Sequence, residues 1–154
     1  MHVYPGSRFK KFAMWNSYPN KLYFDIIKEY SEKIIIEVAG HDHLPSLRYH
    51  AKENIIDTLG KSSAQSDHLF HNMVLAPSMT PWYANNPGIS SYEISEKDLT
   101  PKGLKNSYLN LKPTIGKAKA TPFSELEFRL VDYAKEFGLK DMTDKGIDEL
   151  RKNL

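Results

Sequence analysis

Residues Ile34, Ile35, Ile36, Glu37, Val38 and Ala39, closed by Gly40, constrain this chain more than any other stretch. β-Branched side chains are stiff and favour extended backbone, and a run that is apolar at nearly every position must be covered on both faces. The run predicts a buried strand over 34–39 in an α/β layer, with Gly40 as its stop. With 154 residues, 40% of them hydrophobic, the chain can bury the core that such a strand requires.

The rest of the sequence supplies partners for that strand. Residues 1–18 are irregular, broken by Pro5-Gly6, Ser7 and Ser17. Pro19 opens a predicted helix to about Lys33, with Leu22, Ile26, Ile27 and Tyr30 along one face. A polar loop is predicted from Leu59 to Asp67, then a second strand from His68 to Ala76, closed by Pro77-Ser78. Residues 80–88 form a loop with two prolines and two large aromatics, and short strands follow at Ser90–Ile94 and Ser107–Leu111. Ser124-Glu125-Leu126-Glu127 has a capping-box pattern, which predicts a helix using Leu126, Leu130, Tyr133, Ala134 and Phe137 and ending at Gly138. A last short helix to Leu154, capped by Thr143 or Asp144, turns Ile147 and Leu150 inward.

Charge and composition exclude several classes. Lys+Arg 21 against Asp+Glu 19 leaves a net charge of +2, too balanced for a polybasic nucleic-acid binder. No apolar stretch approaches the roughly 20 residues of a bilayer span. Residues 1–30 carry Lys10, Lys11, Lys21, Asp25, Lys28 and Glu29 and no apolar segment of the signal-peptide kind. There is no cysteine and no Asn-x-Ser/Thr sequon, so any metal must be held by His, Asp, Glu or Asn.

Gly40-His41-Asp42-His43 is the sharpest chemical signal, because it follows a strand end, where ligands bind in open α/β sheets. Two histidines on a turn can diverge and serve two metals, as phosphoryl-transfer sites require; a solvated polar turn is the plainer alternative. His2, ahead of Tyr4-Pro5-Gly6, is either a strand-end ligand or an exposed terminal residue. His50, His68 and His71 have no ligand spacing and read as surface or packed residues, and Lys97, Asp98, Lys102 and Lys105 as a solvated face. Trp82 and Tyr83, followed by Asn85-Asn86-Pro87-Gly88, either line a ligand cleft or cover local core.

Taken in order, these pieces resemble a known family. His2-Val3-Tyr4-Pro5-Gly6, a helix, and then Gly40-His41-Asp42-His43 look like the last two metal-binding motifs of calcineurin-like metallophosphoesterases. Ala76-Pro77-Ser78-Met79-Thr80, then Asn86-Pro87-Gly88 and Tyr92-Glu93-Ile94, are similar to the acid-sphingomyelinase-like branch, and the segment from Ser107 to Leu139 to its C-terminal region. The resemblance implies an α/β (α+β) layered αββα sandwich of which this chain is the C-terminal half. Residues 1–111 would belong to the metallophosphoesterase domain and 112–154 to a C-terminal helical region.

It also implies two divalent metal ions, usually zinc, in the complete enzyme, with His2 and His41 binding one and His43 the other. Trp82, Tyr83 and Asn86 would face the substrate, a phosphodiester and plausibly a phospholipid head group. The family's upstream Asp-x-His, Gly-Asp and Gly-Asn-His motifs, and the histidine that assists the leaving group, do not occur here, so no catalytic residue is assigned and the missing N-terminal half is an implied partner. Two departures stand out: Tyr4 replaces the family's usual first proline, and Leu44-Pro45 occupies a position often acidic. Family members are often secreted or lysosomal, with disulfides and glycans that this chain lacks. The leading expectation is therefore part of a metallophosphodiesterase, inactive alone, with exposed edges at strands 34–39 and 68–76. The alternatives are a truncated non-catalytic remnant or binding module of the same family, and an unrelated domain with incidental histidines.

Overall fold

The computed structural model describes residues 1–8, 12–51, 69–113, 115 and 122–153. The expected loop at 59–67 and His68 lie outside them. In chain order the elements are β1 (Ser7–Arg8), β2 (Phe12–Ala13), α1 (Ser17–Tyr30), β3 (Val38–Ala39), β4 (Ser46–Ala51), β5 (Leu69–Leu75), β6 (Gly88–Ile94), β7 (Pro101–Asn110), β8 (Glu127–Asp132), α2 (Tyr133–Glu136) and α3 (Asp144–Asn153). β1 and β2 form a small hairpin; β3-β5-β4 and β6-β7-β8 form two three-stranded sheets. Helices and sheets are thus mixed, as an α/β reading requires.

β5 is the spine. It pairs in parallel with β3 (Val38↔Val74, Ala39↔Leu75) and antiparallel with β4 (Ser46↔Leu75 through His50↔His71). Alternate β5 side chains therefore enter two cores. Met73 and Leu75 join Tyr4 and Ala39 on one face, with Met14 and Tyr23 against them. Val74 joins Leu104, Met142 and Ile147 on the other, which brings β7 and α3 onto the sheet. The apolar end Met73-Val74-Leu75 is buried on both faces, as a central strand requires, whereas His71 and Asn72 before it are polar and meet Glu37 and Asp144.

Several expectations are corrected. The strand predicted over 34–39 shrinks to Val38–Ala39, because Ile34 packs beside Phe24 and Ile27 of α1 while Ile35 is 41% exposed. β5 is central rather than an exposed edge, and the outer side of β3 is taken by the first residues, through Met1 N–H to Val38 O and Gly40 N–H to His2 O. α1 begins at Ser17, with Pro19 inside its first turn, where a missing N–H costs nothing. Its buried stripe is Asn20, Phe24 and Ile27, whereas Leu22, Ile26 and Tyr30 are exposed. Asn20 masks that stripe in the sequence; it is buried because its Oδ1 accepts the Gly6 N–H at 2.7 Å.

The helix expected from Ser124 to Phe137 is mostly strand. Residues Phe123–Glu125 make one 3-10 turn, and β8 then pairs with β7 from Lys105↔Asp132 to Asn110↔Glu127. The alternation of Glu127, Arg129 and Val131 with Phe128 and Leu130 suits that ladder, and cross-strand pairing outweighs the local capping signal. Only Tyr133–Glu136 is helical; the Asp132 carboxylate accepts the Lys135 N–H, and Gly138 (φ +64°) ends the turn. β7 is longer than predicted, and β4 was not predicted at all. Lys105 stays on the expected solvated face, where it makes an exposed cross-strand pair with Glu93 at 3.1 Å. The terminal helix forms as expected: Thr143 Oγ1 accepts the Gly146 N–H at 3.2 Å, Ile147 is buried, and Leu150 is half-buried.

Candidate functional site

β3 ends at Ala39, and Gly40 bonds back to His2, donating its N–H to the His2 carbonyl. The His2 ring lies against Gly40, where a β-carbon would stand 3.4 Å from His2 Nδ1. The next three residues make an unusual turn: His41 (φ 78°) and His43 (φ 61°) are both left-handed, a conformation that strains non-glycine residues.

This turn brings His2 and His41 together across 39 positions. His2 Nε2 and His41 Nδ1 are 3.4 Å apart, with the rings edge-to-face and their centres at 5.3 Å. At that separation one ring nitrogen can donate a hydrogen bond to the other, and it is also about the spacing of two nitrogens each ~2.0–2.1 Å from one tetrahedral zinc. Among the described residues no group of three or more His, Cys, Asp or Glu side chains is placed to hold an ion.

His43 faces elsewhere, toward the aromatic loop. Its ring centre is 6.0 Å from that of Tyr83, and its Nδ1 is buried without a hydrogen-bond partner. Its carbonyl accepts the Ser78 N–H and the Asn85 side-chain amide, which fastens the loop to the turn. Trp82 and Tyr83 are both 64% exposed, and Tyr83 and Ala84 are left-handed in their turn. The Arg8 guanidinium lies 5.8 Å from the Tyr83 ring centre. Asn86 stands apart from the histidines, its Oδ1 accepting the Leu111 N–H at the end of β7. A cleft of about 310 Å³ opens beside this loop, between Leu44-Pro45, Asn85 and Asn106–Tyr108.

Sequence reasoning missed the groups beneath the turn. Asp42, 8% exposed, accepts the Tyr4 hydroxyl at 2.6 Å and pairs with Arg8 at 2.9 Å and Arg48 at 3.9 Å. Arg48 also lies 3.7 Å over the Tyr4 ring. Burial, helped by the bond to Asp42, pushes the Tyr4 phenol up to about 12, so it is a neutral donor at physiological pH. His50 and His71 are packed, on either side of the buried Glu37 carboxylate at 3.5 and 3.4 Å, and His71 reaches Asp144 of α3 at 3.3 Å. None of these contacts has a local sequence signature.

With that geometry in view, comparison with known proteins points to one class, the phosphodiesterases. The chain is similar to acid sphingomyelinase-like phosphodiesterase 3b of Mus musculus, at 29% identity over 142 residues covering 85% of this chain. The match takes in 28% of that relative, so the chain spans little more than a quarter of its length. No protein-family model matches the chain. The similarity supports a phosphodiesterase family at most. Among the described residues no helix is long and apolar enough to cross a membrane.

Proposed function

We propose that this chain is the metal-holding C-terminal portion of a phosphodiesterase related to the sphingomyelin phosphodiesterases. The observation that carries the reading is the His2–His41 nitrogen separation of 3.4 Å at the end of a β-strand. His2 and His41 would hold one divalent cation such as zinc, and His43, with its unpartnered buried Nδ1, would reach a second. Such cations lower the pKa of bound water and neutralise charge developing on a phosphoryl group. The chain's own residues bind and orient. The two imidazoles offer facing nitrogens, and the loop bearing Trp82 and Tyr83 offers exposed rings beside His43 for the organic part of a phosphodiester, such as a lipid head group. Residues 1–111 carry these groups, whereas 112–154 complete the second sheet and pack α3 onto β5. The remaining ligands would come from residues outside this chain.

Calorimetric zinc titration of the chain and of its His41→Ala variant tests the reading. Weak zinc binding is expected in the parent and at least tenfold weaker binding in the variant; equal binding by the two would refute it. With excess zinc and a chromogenic phosphodiester, the chain alone is expected to show no turnover. Robust turnover abolished by His41→Ala would overturn the reading that the site is incomplete without further residues.

A further inference from the structure

The Tyr4–Asp42 hydrogen bond joins the same two segments as the His2–His41 pair. It spans 38 positions and the histidine pair 39, so the two ties lie almost side by side. A third tie, Gly40 N–H to His2 O at 2.9 Å, lies close to the histidines along the backbone. Burying a phenol and a carboxylate is costly unless each is satisfied. Here Tyr4 is 0% and Asp42 8% exposed, and Arg8 and Arg48 supply the compensating charge.

Asp42 also stands between the two left-handed histidines. Backbone strain of this kind costs on the order of 1–3 kcal/mol per residue and persists only where the surroundings over-determine it. Asp42 is the buried member of the three, so its partners hold both flanking residues in place. Only a side chain at position 4 that reaches Asp42 with a hydrogen-bond donor can make this tie.

We propose that Tyr4 and Asp42 act together as positioning residues that hold His2 and His41 at a metal-chelating separation. This rests on the metal reading of that pair. A bond serving only the core would lower stability when removed and leave the metal affinity of the folded protein unchanged.

The experiment compares the 154-residue chain with Tyr4→Phe, Asp42→Asn and the double variant, each checked for folding by circular dichroism. Zinc affinity is read by calorimetry, and the His2 and His41 ring signals by nitrogen-edited NMR without metal. Each single variant is expected to lose at least tenfold in zinc affinity, the double variant to lose little more than the worse single, and both ring signals to move. Folded variants that bind zinc like the parent, with unmoved ring signals, would overturn the proposal. If the parent binds no zinc through His41, the metal reading fails, and the metal-free ring signals still decide whether the pair is positioned by this bond. Tyr4→Phe keeps the ring beneath Arg48, so it remains the deciding variant should Asp42→Asn not fold.

Discussion

Gly146 is where local propensity and tertiary structure make opposite predictions. It lies in the first turn of α3, where replacing glycine with alanine normally gains about 1 kcal/mol of helix stability. In this fold a β-carbon at 146 would stand 2.5 Å from the Asp141 carbonyl oxygen and 2.8 Å from its Oδ1. Neither atom can withdraw cheaply. Asp141 Oδ1 accepts both the backbone N–H and the hydroxyl of Thr143, and the next residue, Met142, is 3% exposed and donates its N–H to Pro101 O. The helix start must move instead, loosening the Thr143 cap and withdrawing Ile147 from the second core. Losing two hydrogen bonds at roughly 0.5–1.5 kcal/mol each, with part of a buried isoleucine at about 1.5–3 kcal/mol, exceeds the propensity gain. We expect Gly146→Ala to destabilise by about 2 kcal/mol, which for a domain of this size lowers the melting midpoint by roughly 4–8 °C. Thermal unfolding followed by circular dichroism measures it. A midpoint equal to or above the parent's would refute the packing assigned to the start of α3.

Two further outcomes follow from buried polar groups. Tyr4 is raised from an ordinary phenol value of 10.0 to about 12, so the folded state keeps a proton that the unfolded state releases above pH 10. The stability this contributes is fully present below pH 10 and is lost as pH rises through 12, on the order of 2–3 kcal/mol in all. Guanidinium midpoints between pH 9 and 12 (roughly the span of the shift) should therefore fall more steeply in the parent than in Tyr4→Phe; parallel curves would contradict the burial of the phenol. Asn106, 4% exposed, accepts the Ser90 hydroxyl at 2.5 Å and donates to the Tyr133 hydroxyl at 2.9 Å. Asn106→Ala should cost about 2–3 kcal/mol in urea unfolding, and a loss below ~0.5 kcal/mol would mean that water replaces those bonds.

What the sequence made legible is what lies close along the chain. The strand at β5, the helix around Pro19, the stop at Gly138 and the final helix all follow from neighbouring residues. The failures arise where distant pairing overrides a local signal. Ser124-Glu125-Leu126-Glu127 carries a helix-start pattern, yet residues 127–132 are claimed by the open side of β7. β4 is obscured by Arg48 and His50, polar residues that belong inside because Asp42 and Glu37 wait for them there. The stripe of α1 is hidden for a similar reason, since Asn20 looks like a surface residue until Gly6 presents its N–H.

The candidate site divides along the same line. His41 and His43 announce themselves by spacing and by the glycine before them, and His2 by its likeness to a known motif, but nothing local says that His2 and His41 meet. They meet because β3 is only two ladder residues long and both of its sides are occupied: β5 pairs with one, and the first residues of the chain bond to the other. Glu37, just before β3, is held between His50 and His71, and His71 is held in turn by Asp144 of α3. The strand that delivers His41 is thus fixed through side chains from β4, β5 and α3, and the turn after it through Tyr4, Arg8 and Arg48. A short strand anchored at one end by the Glu37 contacts and at the other by the ion pairs of Asp42 can support two strained histidine backbones, which two ladder hydrogen bonds alone would not hold against about 1–3 kcal/mol each.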